Sequence, residues 1–166
     1  MIQNLSIRTA TIADIAALAQ LFTHTVETVA PQSYSPEQVQ AWAKTPADLE
    51  RFQRFILEVT TFVAVLDGRI VGFAGVAETG YLASLYTHSD YQRQGIGSEL
   101  LKAVLEYAQA HQIERLYTEA SEFSKPLFEK FGFAVYEIEQ VNRGGVWFNR
   151  SLMQRWLSAD PDAATV

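Results

Sequence analysis

Apolar residues recur at two different spacings along this chain, and the change of spacing divides it. Leu5-Ser6-Ile7-Arg8 alternates apolar and polar, as a half-buried strand does. From Ile15 the period becomes helical, with Ile15, Leu18, Ala19, Phe22 and Val26 on one face. Ahead of it, Thr11-Ile12-Ala13-Asp14 has the form of a capping box, with aspartate where glutamate is usual. Tyr34-Ser35-Pro36-Glu37-Gln38 starts a second helix, with Ser35 as N-cap, Pro36 in the first position and Gln38 in the third. Val39, Trp42 and Ala43 give that helix a packing face, and Pro46 ends it. Asp48 caps a third helix, predicted to point Leu49, Phe52, Ile56 and Leu57 inward.

The strand section opens at Thr60. Thr61 to Leu66 and Arg69 to Ala77 form a hairpin around Asp67-Gly68, a favoured two-residue turn. Gly80 breaks the run before a strand from Tyr81 to Thr87, and a helix spans about Gly95 to Ala110. Arg115 to Ala120 is the next strand. Ser121 or Ser124 caps a short helix that stops at Phe131-Gly132, where glycine suits the position past a helix end. Ala134 to Gln140 and Val146 to Met153 make a last hairpin around Asn142-Arg143-Gly144-Gly145. The order predicts an α/β (α+β) fold with a mixed sheet. Residues 1–157 read as one domain, and the small, polar 158–166 as a disordered tail.

Composition narrows the chemistry. A chain of 166 residues with 48% hydrophobic content has the size of one domain with a sizeable core. The net charge of −6 disfavours non-specific nucleic-acid binding and is compatible with a cationic acceptor such as an amine. There is no cysteine, which excludes disulfides, thiolate metal sites and a cysteine nucleophile. The sequence carries no transmembrane run or signal peptide, so a cytoplasmic protein acting away from membranes is expected.

The stretch Tyr91-Gln92-Arg93-Gln94-Gly95-Ile96-Gly97-Ser98 carries the strongest chemical signal. A polar turn with two glycines opens directly into an amphipathic helix. Backbone N–H groups at a helix start have no internal partner, and with the helix dipole they form an anion site. A tight turn is the plainer reading of the same glycines. The spacing is neither a P-loop nor a three-glycine dinucleotide fingerprint.

With the strand before it, the run Leu85 to Gly97 closely resembles motif A of the GCN5-related N-acetyltransferases, Gln/Arg-x-x-Gly-x-Gly/Ala. Ser121 to Phe133 resembles the helix and Gly-Phe turn of that family's motif B, and the chain order fits from near residue 3 to near residue 155. The resemblance extends to a branch of uncharacterised bacterial acetyltransferases through Tyr34 to Gln38 and Arg143 to Asn149. It implies a mostly antiparallel twisted sheet whose strands splay around acetyl-CoA. Leu85, Tyr86 and Thr87 would line the pantetheine arm, Leu85 and Thr87 pairing with it through their backbones. Gln92, Arg93, Gln94, Gly95, Ile96, Gly97 and Ser98 would surround the pyrophosphate. Arg93 either adds charge there or is solvated.

Motif B departs from the family pattern Asn-x-x-Ala-x-x-x-Tyr. Those positions are Ser121, Ser124 and Phe128, so the tyrosine that would protonate the leaving thiolate is absent. Phe128 is expected beside the cofactor, Ser121 to keep part of the asparagine role, and Lys125 to reach a phosphate or acidic group or to stay solvated. Glu119, at the end of its strand, is a candidate base or an ordinary carboxylate. Tyr81 falls where some family members carry a glutamate base and is a candidate acid, relay or lining residue. Alternation places Tyr81, Ala83 and Leu85 on one face and Tyr117 with Glu119 on one face of theirs. Tyr34, His24 and Trp147 fall on segments that border the acceptor cleft in the family, as do Trp42 and Phe148. His88 and His111 read as surface residues, and three scattered histidines argue against a metal.

These readings converge on an N-acyltransferase that moves an acetyl group from acetyl-CoA to a primary amine, small-molecule or peptide, by direct attack in a ternary complex. A CoA-binding regulatory module with little catalysis, and an unrelated nucleotide-phosphate binder, are the rivals. Homodimers are common in the resembled family, and nothing in the sequence decides that point.

Overall fold

The computed structural model describes residues 2–157; the predicted tail, 158–166, lies outside them. In chain order the elements are β1 (Leu5–Thr9), α1 (Ile15–Val29), α2 (Pro36–Ala43), α3 (Leu49–Leu57), β2 (Thr60–Leu66), β3 (Arg69–Val76), β4 (Leu82–Thr87), α4 (Ile96–Ala110), β5 (Arg115–Ala120), α5 (Lys125–Lys130), β6 (Ala134–Arg143) and β7 (Val146–Trp156).

The strands form two antiparallel sheets, β1-β2-β3-β4 and β5-β7-β6. They meet at a parallel bridge between Tyr81 and Tyr117. The Tyr117 N–H donates to Gly80 O at 3.0 Å and Thr118 Oγ1 to Leu82 O at 3.0 Å. Beyond these contacts β4 and β5 pair with different neighbours and part, opening a cleft between the sheets.

Two cores flank the first sheet. On one side α4 buries Ile96, Leu100, Leu101, Val104 and Ala108 against Val71, Ala74, Val76, Leu82, Leu116 and Met153. On the other, α1 to α3 bury Leu18, Phe22, Val26, Phe52 and Ile56 against Val63 and Phe73. The buried positions of α1 follow the predicted stripe, and each such side chain contributes about 1.5–3 kcal/mol on leaving water.

The caps form as the sequence suggests. Ser35 accepts from the Gln38 N–H at 3.2 Å, and Gln38 Oε1 accepts from the Ser35 N–H at 2.9 Å. Asp14 accepts from the Thr11 N–H at 2.8 Å, closing a single 3-10 turn before α1. The Arg8 fork holds the same carboxylate at 2.8 and 2.9 Å and keeps its pKa down at about 2.

Three expectations need correcting. Leu49 and Leu57 face solvent, because this nine-residue helix reaches the core only through Phe52 and Ile56. Leu57 follows Ile56 by one residue, a rotation of about 100° on a helix. The β4 ladder starts at Leu82, and Tyr81 makes the inter-sheet bridge instead. The last hairpin is also longer at both ends, turning at Gly144-Gly145 with φ of +58° and +88°.

Candidate active site

The cleft between the parting strands has a volume of about 1220 Å³. One wall is β4, from Ala83 to Thr87; the other is the end of β5 with the start of α5; α1, α2 and the β6–β7 hairpin cover the opening.

β4 carries a bulge at the mouth. Val76 pairs with Leu82 and Gly75 with Ser84, so Ala83 is an extra residue without a partner. The bulge resets the alternation, which corrects the placing of Tyr81, Ala83 and Leu85 on one face: Leu85 packs toward α4 while Tyr86 enters the α1–α3 core. As the edge strand of its sheet, β4 offers backbone groups to an extended ligand. That offer narrows at Thr87, whose carbonyl accepts from Gln92 Nε2 at 2.6 Å and Thr25 Oγ1 at 3.2 Å.

The glycine turn follows. Gln92 and Gln94 spend their side chains on the loop itself, Gln94 Nε2 reaching Asp90 O at 3.3 Å. Arg93 is exposed in the left-handed region at φ +60°. Gly95, φ +88°, is the N-cap of α4 and brings no side chain that could accept from the first turn. The first helical bond runs from Glu99 N–H to Gly95 O, so the N–H groups of Ile96, Gly97 and Ser98 have no helical acceptor. Gly97 allows the close approach of α5: a Cβ there would lie 2.7 Å from Leu127 Cδ2.

At the start of α5, Ser121 and Ser124 bind each other's backbone N–H groups at 3.2 and 3.0 Å. Phe128 is buried against Phe133, ring centroids 5.1 Å apart. Lys125 leans toward Glu129 at 3.9 Å.

Tyr81 and Glu119 come together where the sheets part. The Tyr81 hydroxyl donates to Glu119 Oε2 at 2.5 Å. Burial first, and then the neighbouring carboxylate, push the phenol above the usual tyrosine range, so Tyr81 holds its proton. Arg150, opposite Glu139 across the β6–β7 ladder, bonds Glu139 and lies 4.0 Å from Glu119 Oε1. Sequence reading missed Arg150; its signal was alternation from Phe148, but the pairing needs the strand register.

Tyr34 lines the cleft, half-buried, and its hydroxyl accepts from the Glu122 N–H at 3.1 Å. Desolvation raises its pKa, so it too stays protonated. Trp147 does not line the cleft: it is 61% exposed, and the next residue, Phe148, is the buried one. A strand turns successive side chains to opposite faces, and the hairpin presents Phe148 inward. His24 lies outside the cleft as well, since α1 turns Phe22, Thr25, Val26 and Val29 toward it and His24 away.

The histidines are not all scattered surface groups. His88 is buried, 5.0 Å from the His24 ring, and the ligand atoms of His24, His88 and Asp90 lie within 4.8 Å of one another. His88 Nδ1 accepts from the Asp90 N–H at 3.1 Å, and Nε2 sits 3.3 Å from Arg69 Nη2. Burial, and then the Arg69 charge, lower its pKa. A cation here would have to displace that guanidinium.

An edge strand and a phenol–carboxylate pair thus line one cleft, with an uncapped helix start beside it. The GNAT acetyltransferase domain model matches residues 30–152, and the chain belongs to that family. It is 31% identical to an uncharacterized N-acetyltransferase, YafP, of Escherichia coli (strain K12) over 91% of this chain and 95% of that one. A crystal structure of a GCN5-related N-acetyltransferase from Rhodopseudomonas palustris superposes with TM-score 0.90 at 28% identity, covering 95% of this chain and 98% of that one. PaiA N-acetyltransferase from Thermoplasma acidophilum, solved in complex with coenzyme A, shares the fold at TM-score 0.74 and 20% identity, covering 92% and 99%.

Proposed function

We propose that the protein transfers an acetyl group from acetyl-CoA to a primary amine by direct attack within a ternary complex. The observation that carries the reading is that the β4 edge and the Tyr81–Glu119 pair line one cleft, with the open α4 start beside it, where Gly97 lies against Leu127 and Thr87 of the lining. Coenzyme A in the PaiA relative supports the donor. Pantetheine runs along β4 at Leu85 to Thr87, Tyr86 entering as wall rather than as edge. The pyrophosphate lies over the N–H groups of Ile96, Gly97 and Ser98, with Arg93 beside it. Lys125 and Ser121 border the same end.

Glu119 takes the amine proton, directly or through Tyr81, as the nitrogen attacks the thioester carbon. The C–N bond forms, the C–S bond breaks, and the thiolate needs a proton. Phe128 cannot give one. Tyr34 can, because its hydroxyl accepts from Glu122 N–H and keeps its own hydrogen free. No helix of the described residues is long and apolar enough to cross a membrane, in keeping with the cytoplasmic setting we propose.

The test is thiol release from acetyl-CoA across amines of several classes, with calorimetric binding of acetyl-CoA alongside. The chain has no cysteine, so it adds no thiol background. Amine-dependent release supports the reading. Binding without release from any amine overturns it in favour of a CoA-binding module.

A further inference from the structure

Four rings form a box on the acceptor side of the cleft. Tyr34 packs edge-on to Trp42 at 5.2 Å, Trp42 lies 6.4 Å from Tyr86, and Phe148 lies 6.3 Å from Tyr34. Trp42 Nε1 donates to the Tyr86 hydroxyl at 3.2 Å, so the indole N–H is satisfied and what remains to a guest is ring surface. Such surface favours an aromatic guest by stacking beyond simple burial.

Three cations of the cleft, Lys44, Arg51 and Arg143, have no side-chain hydrogen bond or ion pair among the described residues, and of these Arg143 lies on the hairpin that also carries Phe148. Arg143, at the end of β6, lines the cleft and makes no hydrogen bond or ion pair among the described residues, whereas Arg150 is held by Glu139 and lies near Glu119. The hairpin that carries Arg143 is fixed across the opening: Gln38 Nε2 donates to Trp147 O at 2.9 Å, and Gly145 N–H to Asn142 Oδ1 at 2.9 Å. Its charge reaches the hydroxyls of both Tyr81 and Tyr86, lowering the pKa of each against the upward push of burial. Arg143 thus lines the same cleft as the four rings and the carboxylate–phenol pair. An acceptor with one amine and one carboxylate complements that pattern; a polyamine would meet Lys44, Arg51, Arg143 and Arg150.

We propose that the acceptor is an amino carboxylate with an aromatic side chain, its ring in the box of Tyr34, Trp42, Tyr86 and Phe148, its carboxylate on Arg143 and its amine at Tyr81–Glu119. This rests on the acetyl-transfer reading and specifies its substrate. The amine loses its proton to Glu119, the acetyl carbon passes from sulfur to nitrogen, and the products are the N-acetyl amino acid and CoA.

The experiment compares kcat/KM, by thiol release, for phenylalanine, tryptophan, 2-phenylethylamine, alanine and spermidine. Phenylalanine or tryptophan is expected to lead 2-phenylethylamine and alanine by about tenfold or more, the scale of a charge-assisted pair and of a buried ring. Arg143→Gln should cut the ratio of phenylalanine to 2-phenylethylamine by about tenfold, and Arg143→Lys by less, since a point charge lacks the fork. Trp42→Ala should cut the ratio of phenylalanine to alanine. Equal rates for phenylalanine, 2-phenylethylamine and alanine, a preference for spermidine, or an Arg143→Gln that scales every acceptor alike overturns the inference and leaves acetyl transfer standing. Absence of release with this panel, but release with other amines, does the same. Absence of release with amines of every class overturns acetyl transfer itself.

Discussion

The two sides of the cleft are built from different materials. The side we assign to the cofactor is backbone: the β4 edge, the bulge at Ala83, and N–H groups at the start of α4 exposed by Gly95 and Gly97. The side we assign to the acceptor is side chain: Tyr34 and Trp42 from α2 and its approach, Tyr86 from β4, Glu119 from β5, and Arg143, Phe148 and Arg150 from the last hairpin. A backbone site persists while its few glycines persist. A side-chain site changes its guest with one substitution, so this half of the cleft is where specificity resides.

The largest expected effect separates chemistry from binding. Glu119→Gln keeps the volume and a hydrogen-bond acceptor for Tyr81 but removes the base. We expect kcat to fall about 100- to 10,000-fold, the usual weight of general base catalysis, with acetyl-CoA affinity unchanged by calorimetry. An unchanged kcat would remove Glu119 from the mechanism and leave the pair as structure.

Next is the backbone side. Gly97→Val puts a branched side chain where a single Cβ already comes within 2.7 Å of Leu127 Cδ2. Leu127 can turn from one methyl but not from three carbons, so α4 and α5 are pushed apart. We expect a cost of about 1–3 kcal/mol in denaturant unfolding, with weaker acetyl-CoA binding. Tyr34→Phe is the smaller, acceptor-side counterpart. It removes the free hydroxyl hydrogen, and kcat should drop about tenfold with KM for acetyl-CoA held, because water can replace a lost acid at lower efficiency. If Tyr34→Phe instead weakens acetyl-CoA binding, the division between the two sides fails.

The same division decides how much the sequence could say. Gly95, Gly97 and the strand before them are local, so a contiguous run of residues described the helix start correctly. The capping residues Ser35, Gln38, Thr11 and Asp14 are local too. The acceptor side is assembled from residues more than a hundred positions apart, and only pairing decides which of two neighbours faces in. Trp147 and Phe148 differ by one step of alternation; the sequence offers both to the acceptor cleft, and only Phe148 lines it. Arg150 reaches Glu139 only through the β6–β7 register. His88 reads as a surface residue, but α1 brings His24 over it and β3 brings Arg69. The bulge at Ala83 has no local signature, since neither glycine nor proline marks it.

The smallest effect we expect tests whether α1 supports the acceptor side more than the cofactor side. Asp14 accepts from Thr11 N–H and from both arms of Arg8 at the start of the helix that carries Phe22, Thr25 and Val26 into the cleft. Asp14→Asn keeps an acceptor for Thr11 N–H but loses the charge that pairs with the half-exposed Arg8, and should cost about 0.5–1 kcal/mol, read as a lower Tm at neutral pH. Because Arg8 depresses the carboxyl from an ordinary 3.8 to about 2 in the folded chain, its contribution is complete above about pH 4 and fades as pH falls toward 2. The difference between wild type and variant should therefore close over that window. KM for the amine should rise more than acetyl-CoA affinity falls, since α1 packs Phe22 on Tyr86 of the ring box and reaches the cofactor edge through Thr25 at Thr87 O. An equal loss of both affinities would show that α1 holds the whole cleft, and the two sides would have to be treated as one.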